Sequence, residues 1–261
     1  MNIEGKTILI TGAAAGIGRA AALKFAARRA ACIHIADIDE AGMAETVRMV
    51  EGLGLQVQAR AWRVDMADMA AVETWLRRLK AAGGYDVLYN NAGVVQGGSP
   101  FPDAPVERLQ SIININLTAV VVATQVAAQQ MRARGGGVVV NTVSTVVLGK
   151  GFSDALYAAT KSGVMMFTRS CAGLKDSWNV RVCGVLPGLT NTPILKKTGD
   201  DGDYAPWMAP ILASNAMCQP EDIGDAVIDL VEDDTLPGGD WVSVRHVEGA
   251  IVRQWGHDEG G

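Results

Sequence analysis

The chain has 261 residues, 49% of them hydrophobic and 20% charged, with a formal net charge of −5. That is an ordinary globular composition with ample material for one large core, and the acidic balance gives no support to a nucleic-acid partner. Cys32, Cys171, Cys183 and Cys218 show no CxxC pairing, and His34, His246 and His257 are too scattered for a metal centre. The opening residues lack the basic start and apolar core of a signal peptide. The apolar runs, such as residues 119–123, fall far short of a membrane span. The expectation is a cytoplasmic soluble protein with buried, reduced thiols.

Residues 6–11 form a short apolar run ending at a glycine, which reads as a buried parallel strand. An alanine-rich helix over 17–29 follows, closed by two arginines that suit its negative end. Strands are predicted at 31–36, 57–64, 85–90, 138–143, 180–186 and 240–244. Helices are predicted at 40–51, 69–82, 105–134, 154–177 and 220–231. Strict alternation of strand and helix, without repeats or a linker, implies one doubly wound α/β domain over residues 1–261. It would be a parallel sheet of about seven strands with helices on both faces. Ligands then sit beyond the carboxyl ends of the strands. The one long irregular piece, residues 189–219, reads as a lid over the substrate.

Three stretches carry chemistry. After the first strand comes TGAAAGIG, residues 11–18, and then a helix. Gly12 permits a sharp turn, Gly16 lets backbone amides approach a phosphate, and Gly18 lets helix and strand pack closely. The helix start, from Ile17, offers free N–H groups and a positive dipole end. Asp37 closes the second strand, where an acid can accept hydrogen bonds from an adenosine ribose and repel a 2′-phosphate, which points to NAD rather than NADP. Asp37 could also be a loop acid or a cap for the helix at 40–51. In the third stretch, residues 141–161, Tyr157 and Lys161 stand one turn apart on the same helix face, with Ser144 ahead of them. An ammonium beside a phenol favours the phenolate, and a serine hydroxyl can stabilise a neighbouring oxygen. By spacing alone, a solvated helix face explains the pair equally well.

Taken in order, these residues resemble the short-chain dehydrogenases/reductases. The resemblance covers nearly the whole chain: TGAAAGIG at 11–18, Asp37, Asp65, NNAG at 90–93, Asn116 within NINL, Ser144, YAATK at 157–161 and PGLTNT at 187–192. It implies a Rossmann-type fold and an oxidoreductase in which Tyr157 exchanges the substrate proton. Lys161 would bond the nicotinamide ribose and lower the tyrosine pKa, and Ser144 would orient the substrate oxygen. Asn116 would hold a water linking Lys161 to solvent, although a polar residue at a helix kink is also compatible. Asp65 would bond the adenine, and Asn91 would line its ribose, while Asn90 reads as a tie between strands. Pro187, Gly188, Thr190 and Thr192 would cradle the carboxamide end of the cofactor. Relatives are commonly dimers or tetramers, and a homotetramer is expected.

Val95, Val146 and Phe152 follow strand ends and are expected to touch the substrate, together with Leu195, Tyr204, Trp207, Met208, Ile211 and Leu212 from the lid. Apolar walls with few polar groups suit a medium-sized hydrophobic alcohol or ketone. For Trp207 and Ile211, packing of the lid onto the body is an equal explanation. The tail RHVEGAIVRQWGHDEGG departs from the usual family ending. Two other readings stay open, an NADPH-preferring carbonyl reductase and a non-catalytic dinucleotide-binding regulator. Asp37 argues against the first, and retention of Ser144, Tyr157 and Lys161 against the second.

Overall fold

In the computed structural model, residues 1–97, 101–199, 203–214 and 216–259 are described. The strands are β1 (Thr7–Thr11), β2 (Cys32–Asp37), β3 (Gln58–Arg63), β4 (Val87–Asn90), β5 (Gly137–Thr142), β6 (Val180–Pro187), β7 (Trp241–Val247) and β8 (Ala250–Trp255). They form one sheet in the order β3-β2-β1-β4-β5-β6-β7-β8. The first seven are parallel and β8 is antiparallel to β7. The chain winds outward in opposite directions from β1 and β4, so the crevice between them opens at the carboxyl edge, where ligands of doubly wound sheets bind.

The strand sequences explain which are central. Every residue of β4, β5 and β6 is buried, whereas the edge strands β3 and β8 are largely exposed and carry arginines and glutamines. Charged edges discourage further strand pairing. Side chains alternate between faces along each strand. Ile8 and Ile10 of β1 pack with Phe25 of α1 (Gly16–Ala27), Val50 of α2 (Glu40–Glu51) and Val227 of α9 (Pro220–Glu232). Leu9 faces the other way, into Leu76 of α3 (Met69–Ala81) and Ala127 of α5 (Ala119–Ala133). Val164 of α6 (Ala155–Ser170) completes that second layer against Leu186 and Trp241.

Four features depart from the sequence expectation. The predicted helix over 105–134 is built as α4 (Val106–Ile113), a π-helical turn at Asn114–Thr118, and α5. By length and composition this 28-residue rod could cross a bilayer, which the short apolar runs did not suggest; here it lies on the sheet. The helix predicted to reach residue 177 stops at Ser170, and α7 (Leu174–Trp178) starts afresh. Between them, Gly238 presses on the Ala172 carbonyl so closely that a Cβ would collide. Residues 189–219 carry structure of their own, a 3-10 turn at Pro193–Lys197 and α8 (Met208–Ser214); positions 200–202 and 215 of that stretch lie outside the described residues. Finally, the described residues form eight strands rather than about seven. Glu248 and Gly249 both take positive φ, +48° and +86°. This is the two-residue turn that matches the twist of a hairpin.

A buried polar chain ties the two central strands to the helices. Asn90 Nδ2 donates to Thr124 Oγ1 (3.1 Å) and to Asn141 Oδ1 (2.9 Å), and Asn141 Nδ2 donates to Thr168 Oγ1 (2.9 Å). Asn141→Ala leaves Asn90 and Thr168 without these partners in a dry interior, a loss of about 2–4 kcal/mol. A drop in thermal midpoint on the order of 5–10 °C is expected by calorimetry, with a smaller drop for Thr168→Val.

Candidate active site

The loops after β1 and β4 are locked together. Thr11 Oγ1 accepts from the backbone N–H groups of Asn91 (3.0 Å) and Ala92 (3.1 Å), while Asn91 Nδ2 donates to the carbonyls of Thr11 (3.1 Å) and Gly12 (2.9 Å). Gly12 has φ +66°, and a Cβ there would sit 2.7 Å from Ala92 Cα. Gly18 lies beneath the turn, where a Cβ would come 2.7 Å from Asn91 Nδ2. The start of α1 has no side-chain cap and no acid in its first turn. Its free N–H groups, next to Gly12, Gly16 and Ile17, form an electropositive rim on a cavity of about 880 Å³. Such a rim fits the pyrophosphate of a dinucleotide. Asp37 and Asp65 line the same end. Asp37 also serves the fold: Oδ2 accepts from Ala14 N (3.1 Å) and Oδ1 from Ile38 N (2.7 Å) and Asp39 N (3.1 Å). The cap of α2 is Asp39, not Asp37.

At the other end of the cavity stand Ser144, Tyr157 and Lys161. Lys161 is buried, and its Nζ donates to the Thr142 carbonyl at 2.8 Å, 5.7 Å from the centre of the Tyr157 ring. Burial lowers the Lys161 pKa to about 8. The Tyr157 phenol moves opposite to the expectation that the ammonium would lower it. Burial pushes it up to about 12, the Ser144 hydroxyl opposes this through a hydrogen bond, and the Asp154 carboxylate adds to it. Desolvation of the phenolate is the largest cause, and the Lys161 ammonium is turned to a backbone carbonyl.

Asn116 does not line the cavity. It is wholly buried in the π-helical turn. Its Oδ1 accepts from Val94 N (2.8 Å), and its Nδ2 donates to Val94 O (2.8 Å) and Thr160 Oγ1 (3.2 Å). The side chain therefore fastens the loop after β4 to α6, the helix-kink role that the sequence allowed beside a water contact to Lys161. Asn91 likewise spends its amide on the glycine turn while lining the wall. Sequence reasoning missed Asp154 and Arg108, which grip the same loop. Asp154 was legible as an N-cap three residues before Tyr157; Arg108 left no sequence signal.

Pro187, Gly188, Thr190 and Thr192 run along the cavity from the end of β6. Val95, Val146 and Phe152 line it as well, with Leu195, Trp207, Met208 and Ile211, whereas Tyr204 and Leu212 are not on the wall. The Trp207 ring meets Phe152 edge-on at 5.2 Å, and Phe152 lies 6.3 Å from Tyr157. Trp207 thus packs and lines at once, and Ile211 lines the wall. The longer β7 brings Arg245, His246 and Val247 to the outer wall, where His246 Nδ1 is buried without a hydrogen-bond partner.

The arrangement holds an anion-binding turn, a phenol, a hydroxyl and an ammonium around one cavity, the equipment for proton exchange beside a bound dinucleotide. Comparison with known proteins agrees with it. The short chain dehydrogenase family model matches residues 6–203. A cis-4-hydroxycyclohexanecarboxylate dehydrogenase of Sinomonas cyclohexanicum is 31% identical over 230 residues, 87% of this chain and 90% of that protein. An L-rhamnose 1-dehydrogenase (NAD(P)(+)) of Sphingomonas sp. is 33% identical over 234 residues, covering 88% and 91%. The crystal structure of levodione reductase superposes with a TM-score of 0.83 at 25% identity, covering 93% of this chain and 96% of that one. The chain therefore belongs to the short-chain dehydrogenase/reductase family of oxidoreductases.

Proposed function

We propose that the protein is an NAD-dependent oxidoreductase that interconverts a secondary alcohol and its ketone, with Tyr157 as general acid/base. The observation that carries the reading is the convergence of Ser144, Tyr157 and Lys161 on the cavity whose far end is the uncapped start of α1. The amides from Gly12 to Gly18 would hold the pyrophosphate, Asp37 the adenosine ribose, Asp65 the adenine, and the 187–192 segment the carboxamide. When bound, the nicotinamide supplies or accepts the hydride, which no side chain of the site can do. Tyr157 takes the alcohol proton in oxidation and returns it to the carbonyl oxygen in reduction. Ser144 donates to that oxygen as charge develops on it. Lys161, fixed by the Thr142 carbonyl, adds a positive charge that favours the phenolate.

NAD preference rests on Asp37, which lines the cavity from the end of β2 and whose carboxylate would repel a 2′-phosphate. Arg19 of α1 does not line the cavity and donates to the Ala14 carbonyl and Thr46 Oγ1 (3.0 Å), while Arg63, opposite Asp37 in the sheet, pairs with Glu40 (3.0 Å). An NADPH-preferring carbonyl reductase is the competing reading, and the NAD(P)(+) relative keeps it in view. For the substrate, the Phe152–Trp207 corner favours an apolar, ring-sized alcohol or ketone. Arg245 at the outer wall is hydrogen-bonded to the neutral Gln254 Oε1 at 3.0 Å. It favours a ring alcohol that also carries an acid group, as the substrate named for one relative does. A homo-oligomer, tetramer or dimer, is part of the reading; Ile113 and Met166 leave apolar surface exposed on the α4–α6 side.

Tyr157→Phe should lower kcat by about 10²–10⁴-fold while NADH binding, followed by fluorescence, stays near wild type. Retained turnover would remove the acid/base role. Asp37→Ser should narrow the NAD-over-NADP ratio of kcat/KM by roughly tenfold or more, about 1.4 kcal/mol of relieved repulsion. An unchanged ratio would remove Asp37 as the selector. Light scattering should give a mass of two or four chains.

A further inference from the structure

The loop that follows β4 is gripped from two sides by opposite charges. Asp154 is 6% exposed and precedes the first residue of α6. Its Oδ1 accepts from Tyr157 N at 2.9 Å and its Oδ2 from Gln96 N at 2.7 Å. On the far side, Arg108 Nη2 donates to the Val95 carbonyl (3.0 Å), and its Nη2 and Nε donate to the Gln96 carbonyl (2.8 and 3.0 Å). The peptide between Val95 and Gln96 is thus polarised end to end, its N–H on a carboxylate and its C=O on a guanidinium. A serine or threonine would cap α6 equally well. Only a carboxylate has two oxygens to bridge both elements, and only a carboxylate brings a negative charge within one helical turn of the phenol.

We propose that Asp154 is a positioning residue that fixes Tyr157 to the loop after β4 and whose charge sets the pH at which the phenol exchanges its proton. The proposal rests on Tyr157 being the acid/base group of the reading above. The charge balance around the phenol supports it: after burial, Asp154 is the remaining contributor that keeps the proton on Tyr157. Among the described residues, the other charged or titratable groups that face this part of the cavity are Lys161 on the same helix, Arg108 through the 95–96 peptide, and Lys197, Arg245 and His246 on the walls. None of them is an acid, so removal of Asp154 leaves only groups that stabilise the phenolate or are neutral towards it. Arg108 has the opposite part: it offsets the Asp154 charge across one peptide.

The test is the pH profile of kcat/KM for alcohol oxidation at saturating cofactor, in wild type, Asp154→Asn, Asp154→Ser, Asp154→Glu and Arg108→Gln. The limb that rises with pH should move down by roughly 1 pH unit in Asp154→Asn and Asp154→Ser. It should stay near wild type in Asp154→Glu and move up in Arg108→Gln. Asp154→Ser keeps the helix cap, so the shift can be read even if Asp154→Asn folds poorly, and thermal midpoints identify which variants are intact. A lowered kcat with the limb in place, in intact Asp154→Asn and Asp154→Ser, would overturn the proposal. So would movement of the Asp154→Ser and Arg108→Gln limbs in the same direction. Tyr157→Phe separates the two levels: if it is inactive and the limb does not move, Asp154 alone is refuted, whereas an active Tyr157→Phe refutes the acid/base reading and the proposal with it.

Discussion

Burying an ionisable pair is costly, and this molecule buries a tyrosine and a lysine one helical turn apart. Burial drives both toward neutrality, the phenol up to about 12 and the ammonium down to about 8. An arrangement of this kind holds only if neighbouring groups hold each side chain in place. The Thr142 carbonyl, at the end of β5, takes the ammonium. The Ser144 hydroxyl, two residues further, meets the phenol. One partner ends the strand on which α6 packs and the other follows just beyond it, so the seating of helix on strand sets the surroundings of both side chains.

The framework around α6 follows from that need. Asn116 joins the loop after β4 to Thr160, and Thr160 Oγ1 in turn donates to the Tyr157 carbonyl at 2.9 Å. Asp154 holds the same loop to the first turn of α6. Deeper down, Asn90 and Asn141 carry the connection through the sheet to Thr124 and Thr168. The polar groups of this interior are therefore mostly ties between elements. They fix the orientation of the phenol relative to the glycine turn, which Asn91 fastens to β4 in the same manner. A hydrophobic core alone gives stability but little directional control; hydrogen bonds in a dry interior add the direction.

The strand-and-helix alternation was legible because both faces of a parallel sheet are covered. That makes β1, β4, β5 and β6 continuous apolar runs. The glycine turn was legible because few residues other than glycine tolerate the positive φ and close approach at Gly12. Helix interruptions were not. The π turn at Asn114–Thr118 leaves no local mark and is tied to Val94, far away in sequence; the break after Ser170 holds one glycine, Gly173, and meets the distant Gly238. The hairpin at Glu248-Gly249 had a local signal, a glycine between two alternating segments. The aperiodic look of the tail hid it.

Residue identity and order alone carried the sheet class, the glycine turn before α1, and the membership of Ser144, Tyr157 and Lys161 in one helix-and-strand unit. These depend on short-range spacing and on backbone chemistry that few residues satisfy. Tertiary packing decided the rest. It set the direction in which burial moves the phenol, because desolvation is a property of the whole surround and not of the lysine four residues on. It gave Asn116 its partners, Val94 and Thr160, and it brought Arg108, Asp154 and the C-terminal β7 to a site assembled from segments well over a hundred residues apart. Proximity of that kind is created only when the sheet closes, so no window of the chain contains it.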